Sequence, residues 1–192
     1  MIKSDILIIG AGPVGLFAVF EEGLLKMKCH LIDILPKPGG QCSEIYPKKP
    51  IYDIPAYPEI LADDLVDKLM EQCSQFQPGF TLGERAMTID KQEDNSFIVT
   101  TDKGTKHASP IVVIAGGLGS FEPRKPLIDN ISKFEGFGVE YFIKEPNLFK
   151  DKKIVIAGGG DSALDWAVVL CEIASEVTLI HRRNEFRGAL DS

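Results

Sequence analysis

Apolar residues along the chain fall into two kinds of run. Short unbroken runs each end at a cluster of glycines, and longer stretches repeat apolar positions every three or four residues. Asp5-Ile-Leu-Ile-Ile is of the first kind, and its β-branched content predicts a strand buried on both faces. Gly10-Ala-Gly-Pro-Val-Gly15 follows it, and Leu16 to Lys28 then shows helical spacing. Cys29-His-Leu-Ile-Asp33 reads as a second strand that ends in an acid. Together these make one β-α-β unit of roughly thirty residues.

The middle of the chain is less regular. Prolines cluster between Pro36 and Pro58, with Gly39-Gly40 near the start, yet Ile45, Tyr46, Ile51, Tyr52, Ile54 and Tyr57 are interleaved. That mixture predicts an ordered, irregular excursion rather than a linker. Helical periodicity returns from Ala62 to Ser74, and two strand-like runs between Met87 and Thr101 flank a polar turn at 91–95. Pro110-Ile-Val-Val-Ile-Ala-Gly-Gly117 reads as a buried strand running into a glycine turn. A proline-rich crossing, Phe121-Glu-Pro-Arg-Lys-Pro126, suggests a domain boundary, placed here between residues 1–117 and 118–192. The opening pattern then recurs: strand Lys153-Ile-Val-Ile-Ala, glycine turn Gly158-Gly-Gly-Asp-Ser-Ala163, helix from Leu164 to Ala174, and strand Glu176-Val-Thr-Leu-Ile-His-Arg-Arg183.

Composition narrows the classes. The 192 residues are 44% hydrophobic and 26% charged, as in an ordinary globular protein. A net charge of -7 argues against a general nucleic-acid binder, which would carry a basic stripe. No apolar run is long enough to span a membrane, and the first strand begins too early to leave room for a signal peptide, so a cytoplasmic location is expected. Cys29, Cys42, Cys73 and Cys171 contain no closely spaced pair, so neither a zinc site nor a disulfide framework is expected. Packing is the expected role of these thiols.

The two glycine turns carry the chemistry. In Gly10-x-Gly12-x-x-Gly15 the first glycine permits a tight turn, and the second lets backbone N–H groups approach a pyrophosphate. The third lets the helix pack closely on the strand; Val14 lies within the same turn. Asp33, twenty-three positions after Gly10, is placed to accept hydrogen bonds from the hydroxyls of an adenosine ribose. A mere packing turn would not require that acid. The second turn, Gly158-x-Gly160-x-x-Ala163, includes Asp161 and Ser162, and the same offset from Gly158 reaches His181, followed by Arg182 and Arg183. An acid repels a ribose 2′-phosphate, whereas guanidinium groups bind one bidentately. The first turn therefore suits FAD or NAD, and the second suits NADP. The alternative for the basic residues is a solvated strand end.

Two Rossmann units at this spacing resemble the pyridine-nucleotide-disulfide oxidoreductases. Gly39-Gly-Gln41, Ile111-Val-Val-Ile-Ala-Gly116, Gly158-Gly-Gly-Asp-Ser-Ala163 and His181-Arg-Arg-x-x-Phe-Arg187 look like the thioredoxin-reductase branch. That resemblance implies an α/β fold: an FAD-binding Rossmann-like domain with a parallel sheet and a small antiparallel β-meander, then a partial Rossmann-like NADP domain. It also implies that the chain is the front part of a longer protein, homodimeric when complete.

The branch's dithiol is missing from both places where it is kept. Gly138-Val-Glu-Tyr-Phe-Ile-Lys-Glu-Pro146 contains no cysteine, and the partner position for Cys42 is Pro47. Gly39-Gly-Gln41, Tyr46-Pro47 and Tyr52-Asp-Ile-Pro55 instead resemble the ferredoxin–NADP reductases of thioredoxin-reductase type. By that resemblance Asp33, Gly40, Gln41, Tyr46, Ala86 and Phe121 fall at FAD positions, and Gly158, Gly160, Asp161, Ser162, Arg182, Arg183 and Arg187 at NADP positions. Tyr46 could equally be a half-buried loop aromatic, and Phe121 a hinge hydrophobe. The implied reaction is hydride transfer from NADPH to FAD, then single electrons to a ferredoxin or flavodoxin. The flavin carries that chemistry, so no catalytic side chain is assigned. Lys48, Lys49, Arg124 and Lys125 are candidates for docking an acidic acceptor, with plain solvated surface as the alternative. Two other readings stay open: a disulfide reductase with a distant dithiol, and a non-catalytic nucleotide-binding redox module.

Overall fold

The structure, a computed structural model, describes residues 1–120, 125–143 and 145–186. It divides into two compact units, residues 1–144 and 145–192, so the first unit runs past the boundary suggested by the proline-rich crossing.

In the first unit, β2 (Ile6–Ile9) lies at the centre of a parallel sheet. Its neighbours are β3 (Cys29–Asp33) on one side and β10 (Ile111–Ile114) on the other, and β6 (Gly79–Leu82) lies beyond β3. Register pairs Ile6 with both Cys29 and Ile111. The run of apolar residues in β2 follows from this position, since both faces of the strand are covered. Ile6, Ile8, Cys29 and Leu31 face α1 (Pro13–Leu24) and α3 (Ala62–Ser74), where Leu16, Val19, Val66 and Cys73 complete a buried core. Pro13 begins α1 because its missing N–H costs nothing in the first turn. Gly23 near the end of α1 leaves room for the Phe76 ring, which a Cβ would strike.

The alternate residues of the same strands meet a second layer. Here β1 (Ile2–Lys3), β9 (Lys106–Ser109), β8 (Phe97–Thr101) and β7 (Ala86–Lys91) form a sheet in that order. β7, β8 and β9 make an antiparallel meander. Leu7, Ile32 and Val99 are the fully buried residues of this smaller core, each contributing about 1.5–3 kcal/mol. The proline-dense excursion is ordered, with the short helix α2 (Gln41–Glu44) and a two-stranded pair of β4 (Pro50–Ile51) and β5 (Ile60–Leu61).

The second unit repeats the opening of the first. β11 (Lys153–Ala157) and β12 (Glu176–Ile180) pair in parallel, joined through α4 (Asp161–Cys171). Two strands and one helix bury little: Leu170 is buried, while Val155, Val168 and Ile180 remain exposed. Among the described residues, no helix is long and apolar enough to cross a membrane.

Candidate functional site

The first glycine turn sits at the carboxyl end of β2, where parallel sheets place their ligands. Gly10 has φ +109, and a Cβ there would strike the Ala115 carbonyl. A Cβ on Gly15 would strike the Gly10 carbonyl, so the fold itself demands glycine at both positions. Gly12 is different. Its backbone is extended (φ −76, ψ −176), and the nearest atom to an added Cβ is the Gly40 Cα at 3.8 Å. The fold would accept a side chain at Gly12, and what the turn must keep open is the space in front of it.

Asp33 closes the same end of the sheet and is 8% exposed. The Ala11 N–H donates to its Oδ2 at 2.6 Å and the Leu35 N–H to its Oδ1 at 2.9 Å. The carboxylate thus ties the glycine turn to the end of β3, and each oxygen retains lone-pair capacity for a hydroxyl donor. Across the turn, the Gly39 N–H donates to the Ala11 carbonyl at 2.8 Å and draws the excursion inward. Gln41 then reaches the turn after β10, its Nε2 lying 3.2 Å from where a Gly117 Cβ would stand. The Lys49 amine sits 5.5 Å from the centre of the Tyr46 ring.

These elements enclose a cleft of about 570 Å³. Gly10, Gly12, Val14, Asp33, Gly40, Gln41, Tyr46 and Ala86 all line it, while Gly15 packs behind the turn. Phe121 lies outside the described residues. Sequence reasoning missed Glu84 and Arg85 on the cleft wall, and also Gly119 and Ser120. The signal for Glu84 and Arg85 was Gly83, which has φ +69 just after β6, a strand the sequence did not disclose; Gly119 and Ser120 lie in the turn after β10. The Thr101 hydroxyl donates to Glu84 Oε2 at 2.6 Å, and this bond is the first cause holding the Glu84 carboxyl below its usual pKa. Cys42 also lines the cleft, and burial pushes its thiol pKa up, which suits packing rather than reactivity. A groove of similar volume along α3 is lined by Glu59, Asp64, Asp67 and Glu71, a charge pattern that would repel a pyrophosphate.

The second turn repeats the anchoring hydrogen bond of the first, with Ala163 in place of its third glycine. The Gly158 N–H donates to the Ile180 carbonyl at 3.0 Å, as the Gly10 N–H does to Ile32 at 2.8 Å. A Cβ on Gly158 would crowd the Ala163 methyl at 2.9 Å, whereas one on Gly160 would meet nothing within 4 Å. The second glycine of each turn is again the sterically unconstrained one. Asp161 and Ser162 open α4 on the surface. His181 stands where Asp33 stands in the first unit, and its ring packs against Gly159 with Nε2 buried and unpartnered among the described residues. Arg182 and Arg183 follow it, fully on the surface; Arg187 lies outside the described residues.

The candidate docking cations are less available than their sequence suggests. Lys48 pairs with Asp63 at 2.6 Å and Lys125 with Glu135 at 2.8 Å. Arg124 lies outside the described residues.

Paired glycine turns on repeated β-α-β units, the first opening on a cleft, define a tandem Rossmann-like protein. The chain belongs to the pyridine nucleotide-disulphide oxidoreductase family, whose model matches residues 4–192. It is 74% identical over its whole length to ferredoxin–NADP reductase 1 of Christiangramia forsetii, covering 54% of that protein. It is 73% identical over its whole length to the ferredoxin–NADP reductase of Flavobacterium johnsoniae, covering 55% of it. The chain thus spans about half the length of the curated relatives it matches. Among solved structures it is similar to thioredoxin reductase of Lactococcus lactis, with a TM-score of 0.82 at 26% identity over 98% of this chain and 59% of that one. Thioredoxin reductase of T. acidophilum shares the fold with a TM-score of 0.82 at 20% identity, over 100% of this chain and 60% of that one.

Proposed function

We propose that the chain is the nucleotide-binding front part of an FAD-dependent enzyme that passes electrons from NADPH to a ferredoxin or flavodoxin. The observation that carries this reading is the glycine at position 12. The fold tolerates a side chain there, yet Gly12 lines a cleft that the Asp33 carboxylate lines too. An elongated dinucleotide fits that arrangement: backbone N–H groups for its diphosphate, Asp33 for its ribose, and Gln41 and Tyr46 further along for its ring system. The residues present therefore fit FAD. When bound, FAD supplies the conversion between hydride and single-electron chemistry.

In this reading Gly10, Gly12, Val14 and Gly15 shape the diphosphate turn, and Asp33 both braces that turn and orients the adenosine. Gly40, Gln41, Tyr46, Ala86 and Phe121 bound the rest of the cofactor. Gly158, Gly160, Asp161 and Ser162 receive the diphosphate of NADPH, and Arg182, Arg183 and Arg187 take its 2′-phosphate. The full-length enzyme is a cytoplasmic homodimer. The ferredoxin–NADP reductase relatives support the choice of acceptor.

The thioredoxin-reductase neighbours favour one second reading, a disulfide reductase. All four cysteines are free thiols, and Cys42 lacks a partner in sequence, which weighs against it. The deciding experiment compares kcat/KM of the full-length enzyme for ferredoxin and for thioredoxin with NADPH as donor. Ferredoxin reduction at least a hundredfold more efficient is expected; efficient thioredoxin reduction with a silent ferredoxin would overturn the assignment.

A further inference from the structure

His30 and His107 meet between the two layers of the first unit. His30 lies on β3 and His107 on β9, with ring centroids 4.8 Å apart and planes tilted by 48°. His107 is 1% exposed, and neither of its ring nitrogens has a hydrogen-bond partner among the described residues. His30 pairs through Nε2 with the Thr81 hydroxyl on β6 at 2.8 Å. The contact lies beside the small core of Leu7, Ile32 and Val99 that holds the meander to the parallel sheet.

We infer that this histidine pair is an acid-sensitive latch: neutral, it lets the β7–β9 meander dock on the parallel sheet, and protonation releases it. Two imidazolium ions at this separation would repel each other, in a site that shuts His107 off from water and leaves His30 only partly exposed. Burial is the main cause that lowers both pKa values, His30 to about 4, with the neighbouring His107 adding to the effect on His30. The charged groups around His107 pull in opposite directions: the Glu84 carboxylate after β6 favours its protonation and the N-terminal amine ahead of β1 opposes it. Burial outweighs both.

The direction with pH follows. The docked state binds fewer protons than the released one, whose imidazoles titrate near 6.5. Docking is therefore strongest above pH 6.5 and weakens as pH falls from there toward about 4.

Release would reach the cleft, because its wall is tied to the meander. Thr101 holds the Glu84 carboxylate. The Arg85 N–H donates to Asp102 Oδ1 at 2.9 Å, and the Asp102 N–H donates back to the Arg85 carbonyl at 2.9 Å. Freeing the meander would loosen residues 84–86 and weaken retention of a bound dinucleotide. That last consequence rests on the cleft being the FAD site; the latch itself does not.

Amide hydrogen exchange on the full-length protein, corrected for intrinsic exchange rates, tests the latch. Between about pH 7 and about pH 5, protection over residues 86–109 should fall roughly tenfold or more while that of α3 holds. His107→Asn, and separately His30→Asn, should flatten this pH dependence. NMR titration of the two imidazoles in the unmodified protein gives a measure that depends on no variant. Imidazoles titrating near 6.5, or protection over 86–109 and α3 falling in parallel, would overturn the proposal. Released meander with fully retained FAD would overturn only the coupling to the cleft.

Discussion

Substituting Gly12 by valine separates what the fold needs from what a ligand needs. The backbone at Gly12 is extended, a conformation valine favours, and the first new carbon finds only the Gly40 Cα at ordinary contact distance. The fold should therefore change by no more than about 0.5–1 kcal/mol, and loss of glycine's freedom in the unfolded chain pulls toward stabilisation. The γ-methyls, however, take up space in the cleft that Gly12 lines. A diphosphate oxygen must come within about 2.7–2.9 Å of a backbone nitrogen, and a methyl group holds it roughly 1 Å further off. Losing two charge-assisted hydrogen bonds at about 1.5–3 kcal/mol each weakens FAD binding roughly a hundredfold to ten-thousandfold. Gly15→Ala is the contrast, because its Cβ would strike the Gly10 carbonyl and cost about 1–3 kcal/mol of stability directly. The assay is FAD content after purification, alongside denaturant unfolding of the FAD-free full-length protein. Gly12→Val should keep its midpoint and lose its flavin, while Gly15→Ala loses stability. Full FAD retention by Gly12→Val would refute the reasoning, as would flavin loss accompanied by an equal loss of apo-protein stability.

Asp33→Ala leaves the buried Ala11 and Leu35 N–H groups without their acceptor, each worth about 1.5–3 kcal/mol. Denaturant midpoints and FAD content should both rank wild type above Asp33→Asn above Asp33→Ala. Removing Arg182 and Arg183 together should cut kcat/KM for NADPH by roughly a hundredfold or more and leave NADH almost untouched, measured with an artificial acceptor. Equal losses with both nucleotides would make those arginines structural. Cys42→Ser should keep ferredoxin reduction within about twofold of wild type, because burial holds the thiol protonated; loss of turnover with FAD retained would give that sulfur a chemical role.

The parts of the molecule that were legible in the sequence are those set by local pattern. Both glycine turns, the strand ending at Asp33 and helix α3 from Ala62 to Ser74 stand where their periodicity placed them. Strands β6 and β9 did not announce themselves. Gly79–Leu82 is only four residues long and begins at a glycine, and Lys106–Ser109 carries a lysine, a histidine and a serine. Each becomes a strand by pairing with distant residues, β6 with β3 and β9 with both β1 and β8. Without β6, the turn that carries Glu84 and Arg85 to the cleft could not be placed. Lys48 and Lys125 show the same limit from the other side, since their charges are plain in sequence but their carboxylate partners are not. The separate roles read for Gly10, Gly12 and Gly15 agree with the structure, which adds that a Cβ would clash at the first and third positions and not at the second.

The central claim, that the cleft beside Gly12 and Asp33 holds an FAD that NADPH reduces, is tested most directly by anaerobic titration of the full-length protein with NADPH. The protein should be yellow as purified. Its long-wavelength flavin absorbance should bleach with about one equivalent of NADPH per FAD, as a two-electron donor requires, and far less readily with NADH. A colourless protein that takes up no FAD on reconstitution, or bound FAD that NADPH leaves fully oxidised, would contradict the account.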